Sequence, residues 1–302
     1  MRFSLRQTIL LEIMMNMKKL TAILALCLAS LVSFGQDGSF PVDTILNPSL
    51  SNFRVAASVG AESEYVFRGE KLAGFSIQPK VEFAYPVLGF DLYAGAWMNS
   101  PVNKQLSDNG TLENLEEIDL YAGVTYSWGP VTVDVGAVYY WYPSDNAGIN
   151  RDYEAYTGVT FDTSAYLSGI NLNPSVYYFY NFTLEQHTIE ASLGYDAPVG
   201  AWLMGWEKLT MPIRAYYGYS TADKINGDQM MNLGRNYERA YNYWGASIDI
   251  AYAITEYCTV SAGVRYSQTF NANGDYDPDE DYDYSSLSQR RLWWGAKVDF
   301  GF

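Results

Sequence analysis

The chain has 302 residues with 27 tyrosines, 14 phenylalanines and 8 tryptophans, an aromatic content that excludes a disordered chain. Its 34 acidic residues outnumber its 19 basic residues, and the net charge of −15 argues against a nucleic-acid partner, because binding phosphates needs a basic surface. The 2 cysteines cannot supply a disulfide framework, and the single histidine argues against histidine-rich metal sites and serine–histidine mechanisms.

The N-terminal segment has the pattern of a secretory signal peptide. A lysine pair precedes an apolar run over residues 20–32, and small residues follow at the spacing of a cleavage site before Gln36. The run is shorter than the roughly 20 residues that a membrane-spanning helix needs. We therefore interpret residues 1–16 as an upstream start artefact, residues 17–35 as the signal peptide and residues 36–52 as a periplasmic N-terminal segment of a chain that is mature from about Gln36.

The rest of the chain is dominated by period-two alternation, which places alternate side chains on opposite faces of a strand. In residues 131–141, for example, Val133 and Val135 alternate with Thr132 and Asp134. Most such segments are long enough for the tilted strands of about 9–11 residues that cross a bilayer. Twelve strands are predicted, near residues 53–68, 75–86, 88–99, 117–128, 131–142, 152–162, 169–181, 188–197, 208–220, 240–253, 257–268 and 291–302.

The connections between these segments favour a membrane barrel. If the mature chain starts on the inner side, the longest links all lie outside; they are residues 100–116, 143–151, 221–239 and 269–290. Outer-membrane barrels have short inner turns, long outer loops and an even number of strands. We therefore predict an all-β fold, a transmembrane antiparallel β-barrel of about twelve strands over residues 53–302 with periplasmic N- and C-termini. Ten or fourteen strands are the alternatives.

A β-sandwich would show the same alternation with its apolar face turned to a core. Three features favour lipid outside instead. Aromatic residues such as Tyr139 and Trp141 stand at strand ends, where the membrane interfaces would lie. The chain ends on Phe302 in an alternating strand, as barrels read by insertion machinery do. The polar face repeats an aromatic-x-Gly pattern, as in Tyr93-x-Gly95, in which a ring can cover the exposed backbone of a bent barrel.

Three prolines, Pro79, Pro174 and Pro212, fall inside predicted strands. Proline cannot donate a hydrogen bond to a strand ladder, and a closed barrel has no free edge on which to place it. We therefore expect a β-bulge or a local break of the ladder at each of these positions.

The stretch 61–70 reads Ala-Glu-Ser-Glu-Tyr-Val-Phe-Arg-Gly-Glu, and an alternating segment follows over residues 75–85. Together they resemble the opening of a family of bacterial conserved hypothetical proteins labelled Gcw_chp, through Tyr65, Val66, Phe67, Arg68 and Gly69. The resemblance implies a secreted, barrel-like protein. The family's biochemical role is unassigned, so the resemblance implies no catalytic or binding residues.

If the apolar face meets lipid, the polar face lines a lumen in which acidic residues outnumber basic ones. An acidic surplus in a low-dielectric tube favours cations over anions. Arg68 is the main constriction candidate, with Glu62 and Glu64 on the same strand face. The alternative is that Arg68 forms a structural ion pair, and that the charges together fill the barrel. The other candidate lumen residues are Glu82, Lys80, Arg214 and Arg265.

The acidic stretch 275–283 offers weak metal-binding candidates in Asp275, Asp277 and Asp279, whose alternate spacing resembles the start of a calcium loop. Pro278 interrupts the pattern, and Glu280 stands where such a loop needs glycine. We therefore interpret the stretch as a solvated outer loop and predict neither a metal site nor a cofactor.

The sequence predicts a narrow porin-like channel in the outer membrane of a Gram-negative bacterium, serving small hydrophilic, cation-leaning solutes. The alternative is a closed surface barrel with a structural or partner-binding role through its acidic outer loops. No enzyme is predicted, because no serine is placed by spacing to pair with His187. The expected partners are outer-membrane lipid and lipopolysaccharide, the barrel-insertion machinery and small solutes, without nucleic acid.

Overall fold

The alternating segments close into a twelve-stranded antiparallel barrel, which confirms the predicted fold class and strand number. The computed structural model describes residues 53–102, 116–143, 151–226, 236–274 and 290–302. The barrel strands are β1 (Arg54–Glu62), β4 (Ser76–Val87), β5 (Phe90–Pro101), β6 (Glu117–Trp128), β7 (Val131–Trp141), β8 (Arg151–Phe161), β9 (Ser175–Asn181), β10 (Gln186–Ala197), β11 (Leu209–Asn226), β12 (Asn236–Ala253), β13 (Cys258–Gly274) and β14 (Arg290–Gly301). Strands β2 (Tyr65–Phe67) and β3 (Glu70–Ala73) form a separate hairpin, and α1 (Val199–Met204) lies between β10 and β11.

Strand β1 closes the barrel, because it pairs with β14 on one side and with β4 on the other. Arg54 and Gly301 lie at one end of the wall, which we call the terminal end. Glu62 and Arg290 lie at the opposite end, which we call the loop end. Every strand of the wall pairs on both sides, so the wall has no free edge of the kind that invites pairing with another chain.

The side chains alternate between the two faces of the wall as the lipid-outside interpretation requires. Val135, Ile189 and Val264 face outward and are 50%, 52% and 52% exposed. The neighbouring Asp134 and Glu190 face inward, where tyrosine hydroxyls donate hydrogen bonds to their carboxylates. The buried side chains are largely polar rather than aliphatic; among them are Ser76, Asn99, Glu154, Thr188, Ser267 and Thr269. A sandwich with a dry apolar core is therefore the wrong interpretation.

Several predicted strand boundaries are wrong. Strands β11, β12 and β13 are four to six residues longer than predicted, reaching Asn226, Asn236 and Gly274, and two other predicted strands are too long. The first strand, predicted over residues 53–68, ends at Glu62, and the residues after it leave the wall as a hairpin. The strand predicted over residues 169–181 begins only at Ser175, so Pro174 precedes it. In that link, the carbonyl oxygen of Pro174 still accepts a hydrogen bond of 2.9 Å from the amide of Phe161, which ties the start of β9 to the end of β8.

The other two prolines break the ladder locally, as predicted, but without a bulge. Pairing between β4 and β5 is lost at Pro79 and resumes at Lys80 in the same register. Pairing between β11 and β12 is lost at Pro212 and resumes at Ile213, again in register. Each proline still pairs on its other side, Pro79 with Val59 and Pro212 with Asp196. The missing amide hydrogen therefore removes ladder bonds on one side of the strand only, and no residue is inserted.

Tyrosine rings of the inner face lie over glycines of the adjacent strand, as the aromatic-x-Gly pattern predicts. Tyr93 pairs with Gly123, and Tyr121 pairs with Gly95, in the β5–β6 ladder. A Cβ atom added to either glycine would fall on the hydroxyl end of the opposite ring. The absence of a side chain at these positions is what leaves room for the ring, so the two residue types act as a pair.

We expect Gly123→Ala to destabilise the barrel by about 1–3 kcal/mol, the usual cost of overpacking a filled interior. Its Cβ would collide with the Tyr93 ring and lie 2.7 Å from the carbonyl oxygen of Val135. Gly60→Ala is the matched control, because its nearest neighbour would be 3.6 Å away. The measurement is the temperature at which the folded band disappears in a heat-modifiable gel shift, and equal midpoints for the two variants would contradict the expectation.

Several predictions fall on residues outside the described part of the chain. The start artefact, the signal peptide and the periplasmic segment cover residues 1–52, and the acidic loop lies within residues 275–289. These stay predictions. Across the described ranges, no helix combines the length and apolarity needed to cross a membrane.

Candidate functional site

The hairpin formed by β2 and β3, residues 65–73, is turned by Arg68 and Gly69, and we call it the luminal hairpin. The φ angles of these two residues are 46° and 85°, so both lie in the left-handed region that a two-residue hairpin turn requires. Glycine adopts this conformation freely, whereas a residue with a side chain loses about 1–2 kcal/mol. The contacts of the Arg68 side chain must therefore offset a local cost.

The luminal hairpin crosses the interior of the barrel rather than extending its wall. It leaves between β1 and β4, which are neighbours, and the Ser63 amide anchors its base by donating to the Trp294 carbonyl oxygen at 2.9 Å. Its turn reaches β8 and β9, which lie nearly opposite in the order of strands around the barrel. Arg68 thus points inward as predicted, but from a hairpin and not from the first strand.

Arg68 forms a buried bidentate ion pair with Glu154 of β8. Its Nη1 donates to Oε2 at 2.7 Å and its Nη2 donates to Oε1 at 2.8 Å. The two side chains are only 7% and 2% exposed. The guanidinium also lies 4.7 Å from the ring centre of Phe67 and 4.6 Å from that of Phe179. Arg68 is not part of a wall strand. Burial lowers the pKa of its guanidinium, but the Glu154 carboxylate raises it by more. The pKa therefore lies above its ordinary value, and Arg68 stays charged.

Two further contacts hold the luminal hairpin against other parts of the wall. The Tyr65 hydroxyl donates to Oε2 of Glu117 in β6 at 3.0 Å, and its ring packs 5.3 Å from that of Trp97 in β5. At the turn, a Cβ on Gly69 would lie 2.6 Å from Thr269 Cγ2 and 2.8 Å from Tyr243 Cβ, in β13 and β12. The hairpin therefore contacts the wall along three separate arcs.

Tyrosine hydroxyls hold several of the inward carboxylates in place. Each hydroxyl donates a hydrogen bond to a carboxylate oxygen, which fixes the position of the carboxylate. The pairs are Tyr140 with Glu154 at 3.0 Å, Tyr243 with Glu190 at 2.8 Å, Tyr121 with Glu82 at 2.8 Å, and both Tyr93 and Tyr177 with Asp134 at 2.7 Å and 3.1 Å. The lumen is thus an ordered, hydrogen-bonded acidic lining.

The candidate residues predicted from the sequence do not form one cluster. Glu62 contacts Arg265, whose Nε lies 3.2 Å from Oε2, and Glu64 lies 3.5 Å from the Nζ of Lys71. Both glutamates were expected to share a strand face with Arg68, but Arg68 pairs with Glu154 instead, because the hairpin carries it across the lumen.

The candidates Lys80, Glu82 and Arg214 lie nearer the terminal end of the barrel. Lys80 pairs with Glu82 at 3.1 Å and stands 5.4 Å above the Tyr121 ring. Arg214 pairs with Asp196 at 2.6 Å towards the terminal end, where the arginine side chain is 47% exposed. The contact with Asp196 joins Arg214 to the neighbouring strand β10 and not to Arg68, so its place in a constriction stays a prediction.

Sequence reasoning missed two residues of the site, Lys71 and Glu117. Glu117 has the same strand parity as Asp119, so the alternation contained the signal for it. Lys71 had no such signal, because the alternation does not reveal that residues 65–73 leave the wall. The only histidine, His187, lies on the outer face, where its Nδ1 is 2.7 Å from the Tyr178 hydroxyl.

A cavity of about 280 Å³ remains beside the luminal hairpin, towards β1 and β11–β14. Its lining includes Glu62, Glu64, Gln78, Tyr216, Ser247, Arg265 and Trp293. In the part of the chain that the structure describes, no three acidic, histidine or cysteine side chains are arranged to hold a metal ion. The candidates Asp275, Asp277 and Asp279 lie outside that part.

Comparisons with known proteins identify a family and several barrels. The model of the family described as "Bacterial protein of unknown function (Gcw_chp)" matches residues 47–290. No curated protein matches the chain. Among solved structures, an outer membrane channel from Pseudomonas putida F1 is similar at 7% identity and a TM-score of 0.47, over 88% of this chain and 100% of that one. LpxR from Salmonella typhimurium is similar at 10% identity and a TM-score of 0.42, over 82% and 99% of the two chains. The outer membrane channel DcaP of Acinetobacter baumannii is similar at 8% identity and a TM-score of 0.35, over 83% of this chain and 96% of that one.

Proposed function

The chain belongs to the Gcw_chp family, and we propose that it is a narrow outer-membrane channel for small hydrophilic cations, with the luminal hairpin as its constriction. The observation that carries the proposal is the division of the wall into an apolar outer face and an acidic, tyrosine-lined inner face. Half-exposed valine, leucine and isoleucine side chains around a closed barrel suit a hydrocarbon surrounding. Every wall strand is hydrogen-bonded to a neighbour on both sides, so no strand edge faces the lipid.

The luminal hairpin restricts the size of the solute. It contacts the wall at β5–β6, β8–β9 and β12–β13, and a cavity of about 280 Å³ lies on the remaining side. This space admits ions and solutes of a few heavy atoms. Fixed carboxylates around it favour cations, since a charged lining in a low-dielectric tube attracts the opposite sign.

The second candidate function is a closed surface barrel, and the same hairpin favours it. A turn that is anchored by a buried bidentate ion pair and packed against two further arcs is a firm closure. In that case the lumen is a structural interior, and the protein acts through its outer surface. The two candidates differ in one measurable property, the passage of ions.

Ion passage is tested with the full barrel reconstituted in a planar bilayer under a KCl gradient. We expect small conductance steps and a reversal potential of the sign that marks cation selectivity. Glu82→Gln is expected to reduce the selectivity, whereas Glu207→Gln, which alters an exposed residue in the turn before β11, leaves it unchanged. If the intact, folded protein carries no current while the same barrel conducts after the luminal hairpin is deleted, the hairpin closes the lumen and the closed barrel is the function.

A further inference from the structure

The cavity beside the luminal hairpin has the chemistry of a binding site, and we propose that it binds a small organic cation with a primary ammonium group. This inference rests on the proposed channel function, since it names the class of solute that binds on the way through. The site lies between the hairpin and the wall formed by β1 and β11–β14, and both charged and aromatic side chains line it.

The charged side chains on one side of the cavity are already paired with each other. The Arg265 guanidinium lies between two carboxylates, with Nε 3.2 Å from Glu62 Oε2 and Nη1 3.0 Å from Asp249 Oδ1. The Trp293 indole also donates to Glu62 Oε2, at 3.0 Å. The two carboxylates offset the guanidinium charge and leave no net positive charge to attract an anionic ligand, although Arg265 Nη1 and Asp249 Oδ1 meet by distance without hydrogen-bond geometry. The Glu62 carboxylate is likewise held by two donors.

Glu64 provides the free acceptor. Its Oε1 lies 3.5 Å from Lys71 Nζ, but its buried Oε2 has no hydrogen-bond partner within the described residues. A buried carboxylate oxygen without a donor is unfavourable, and Glu64 lines the cavity, so a donating ligand that draws the carboxylate towards it is favoured. An ammonium group carries three donors and a full positive charge, so it can donate a hydrogen bond to the carboxylate and also balance its charge.

The remaining lining selects an organic cation over a bare metal ion. Trp293 and Tyr216 supply aromatic surface, which attracts a cation and packs against its carbon atoms. Gln78 and Ser247 supply polar atoms but no further carboxylate. A divalent metal needs several oxygen ligands at once, whereas the lining of the cavity holds only two carboxylates, Glu62 and Glu64, and Arg265 and Lys71 already pair with them. A volume of about 280 Å³ accommodates an alkyl ammonium of a few carbons.

The Lys71 side chain is the natural competitor of this ligand. Its ammonium stands at the other oxygen of Glu64, at a distance longer than an ideal charged hydrogen bond. Removing it should free Glu64 and strengthen binding of an external ammonium. The proposal therefore predicts opposite effects for changes at two residues that contact each other, which a general loss of folding cannot produce.

The test is isothermal titration of the full barrel in detergent micelles with n-butylammonium chloride, with sodium butyrate at the same ionic strength as the probe of opposite charge. We expect saturable butylammonium binding, weakened at least tenfold by Glu64→Gln, strengthened severalfold by Lys71→Gln and unchanged by Glu207→Gln. A gel shift on heating confirms that each variant is folded.

Butyrate binding as tight as that of butylammonium, or a Glu64→Gln variant that keeps its affinity, would overturn the site. Titration needs no ion current, so the result is independent of the channel test. A barrel that conducts without binding butylammonium contradicts this inference alone, and a barrel that binds it without conducting contradicts only the channel.

Discussion

Replacing Arg68 with alanine is expected to release the luminal hairpin and raise the single-channel conductance severalfold. The substitution leaves Glu154 buried without its cation, and breaking a buried ion pair by removing one partner costs about 3–5 kcal/mol. It also removes the contacts with the Phe67 and Phe179 rings that offset the left-handed turn. The wall ladders do not involve Arg68, so the barrel itself stays closed.

Arg54→Ala is the matched control for this experiment. Arg54 also pairs with an inward carboxylate, that of Asp91 at 2.7 Å, but the two side chains are 48% and 43% exposed at the terminal end. Exposed pairs contribute only about 0.2–1 kcal/mol, so neither stability nor conductance should change much. Arg68→Lys keeps the charge but loses the bidentate geometry, and it should give an intermediate conductance.

The structural-pair interpretation of Arg68 makes a different prediction. If Arg68 only fixes the position of neighbouring strands, its loss lowers the thermal midpoint and leaves the current unchanged. Equal conductance for the wild type, Arg68→Ala and Arg54→Ala would therefore refute the constriction. A conductance increase for Arg68→Ala alone would support it.

The alternation predicted the wall well because strand parity is a local property. Successive side chains of a strand point to opposite faces, so the sequence alone places Val135 and Asp134 on different sides of the wall. In the structure Val135 faces outward and Asp134 faces the lumen. The number of strands followed from the count of alternating segments. Their even number then placed both ends of the barrel on one side.

The constriction could not be predicted in the same way. Residues 53–68 alternate with two exceptions, Ser63 and Val66, and two exceptions do not by themselves reveal where a chain leaves a sheet. The turn residues Arg68 and Gly69 are not the Asn-Gly or Asp-Gly pair that marks a two-residue hairpin in sequence. The partner of Arg68 depends on which strand lies across the lumen, and closure of the whole barrel decides that.

Gly69→Ala is expected to release the luminal hairpin while every charge stays in place. The new Cβ would lie 2.6 Å from Thr269 Cγ2 and 2.8 Å from Tyr243 Cβ, and both of those residues are fully buried in the wall. Neither neighbour can retreat, so the turn must move away from β12 and β13. We expect a conductance close to that of Arg68→Ala, although Arg68 and Glu154 are both present.

Backbone strain alone would also disturb this turn, and Gly89→Ala separates the two causes. Gly89 lies in the tight β4–β5 turn at the terminal end with a φ of 84°, against 85° for Gly69, and a Cβ there meets nothing within 4 Å. Both alanine variants therefore carry the same left-handed penalty, of about 1–2 kcal/mol, and only one carries the collision. Trypsin adds a second measurement, because a released hairpin exposes Arg68 and Lys71 to cleavage. If Gly69→Ala and Gly89→Ala conduct alike and resist trypsin alike, the turn does not rest against β12 and β13, and the luminal hairpin is not the constriction.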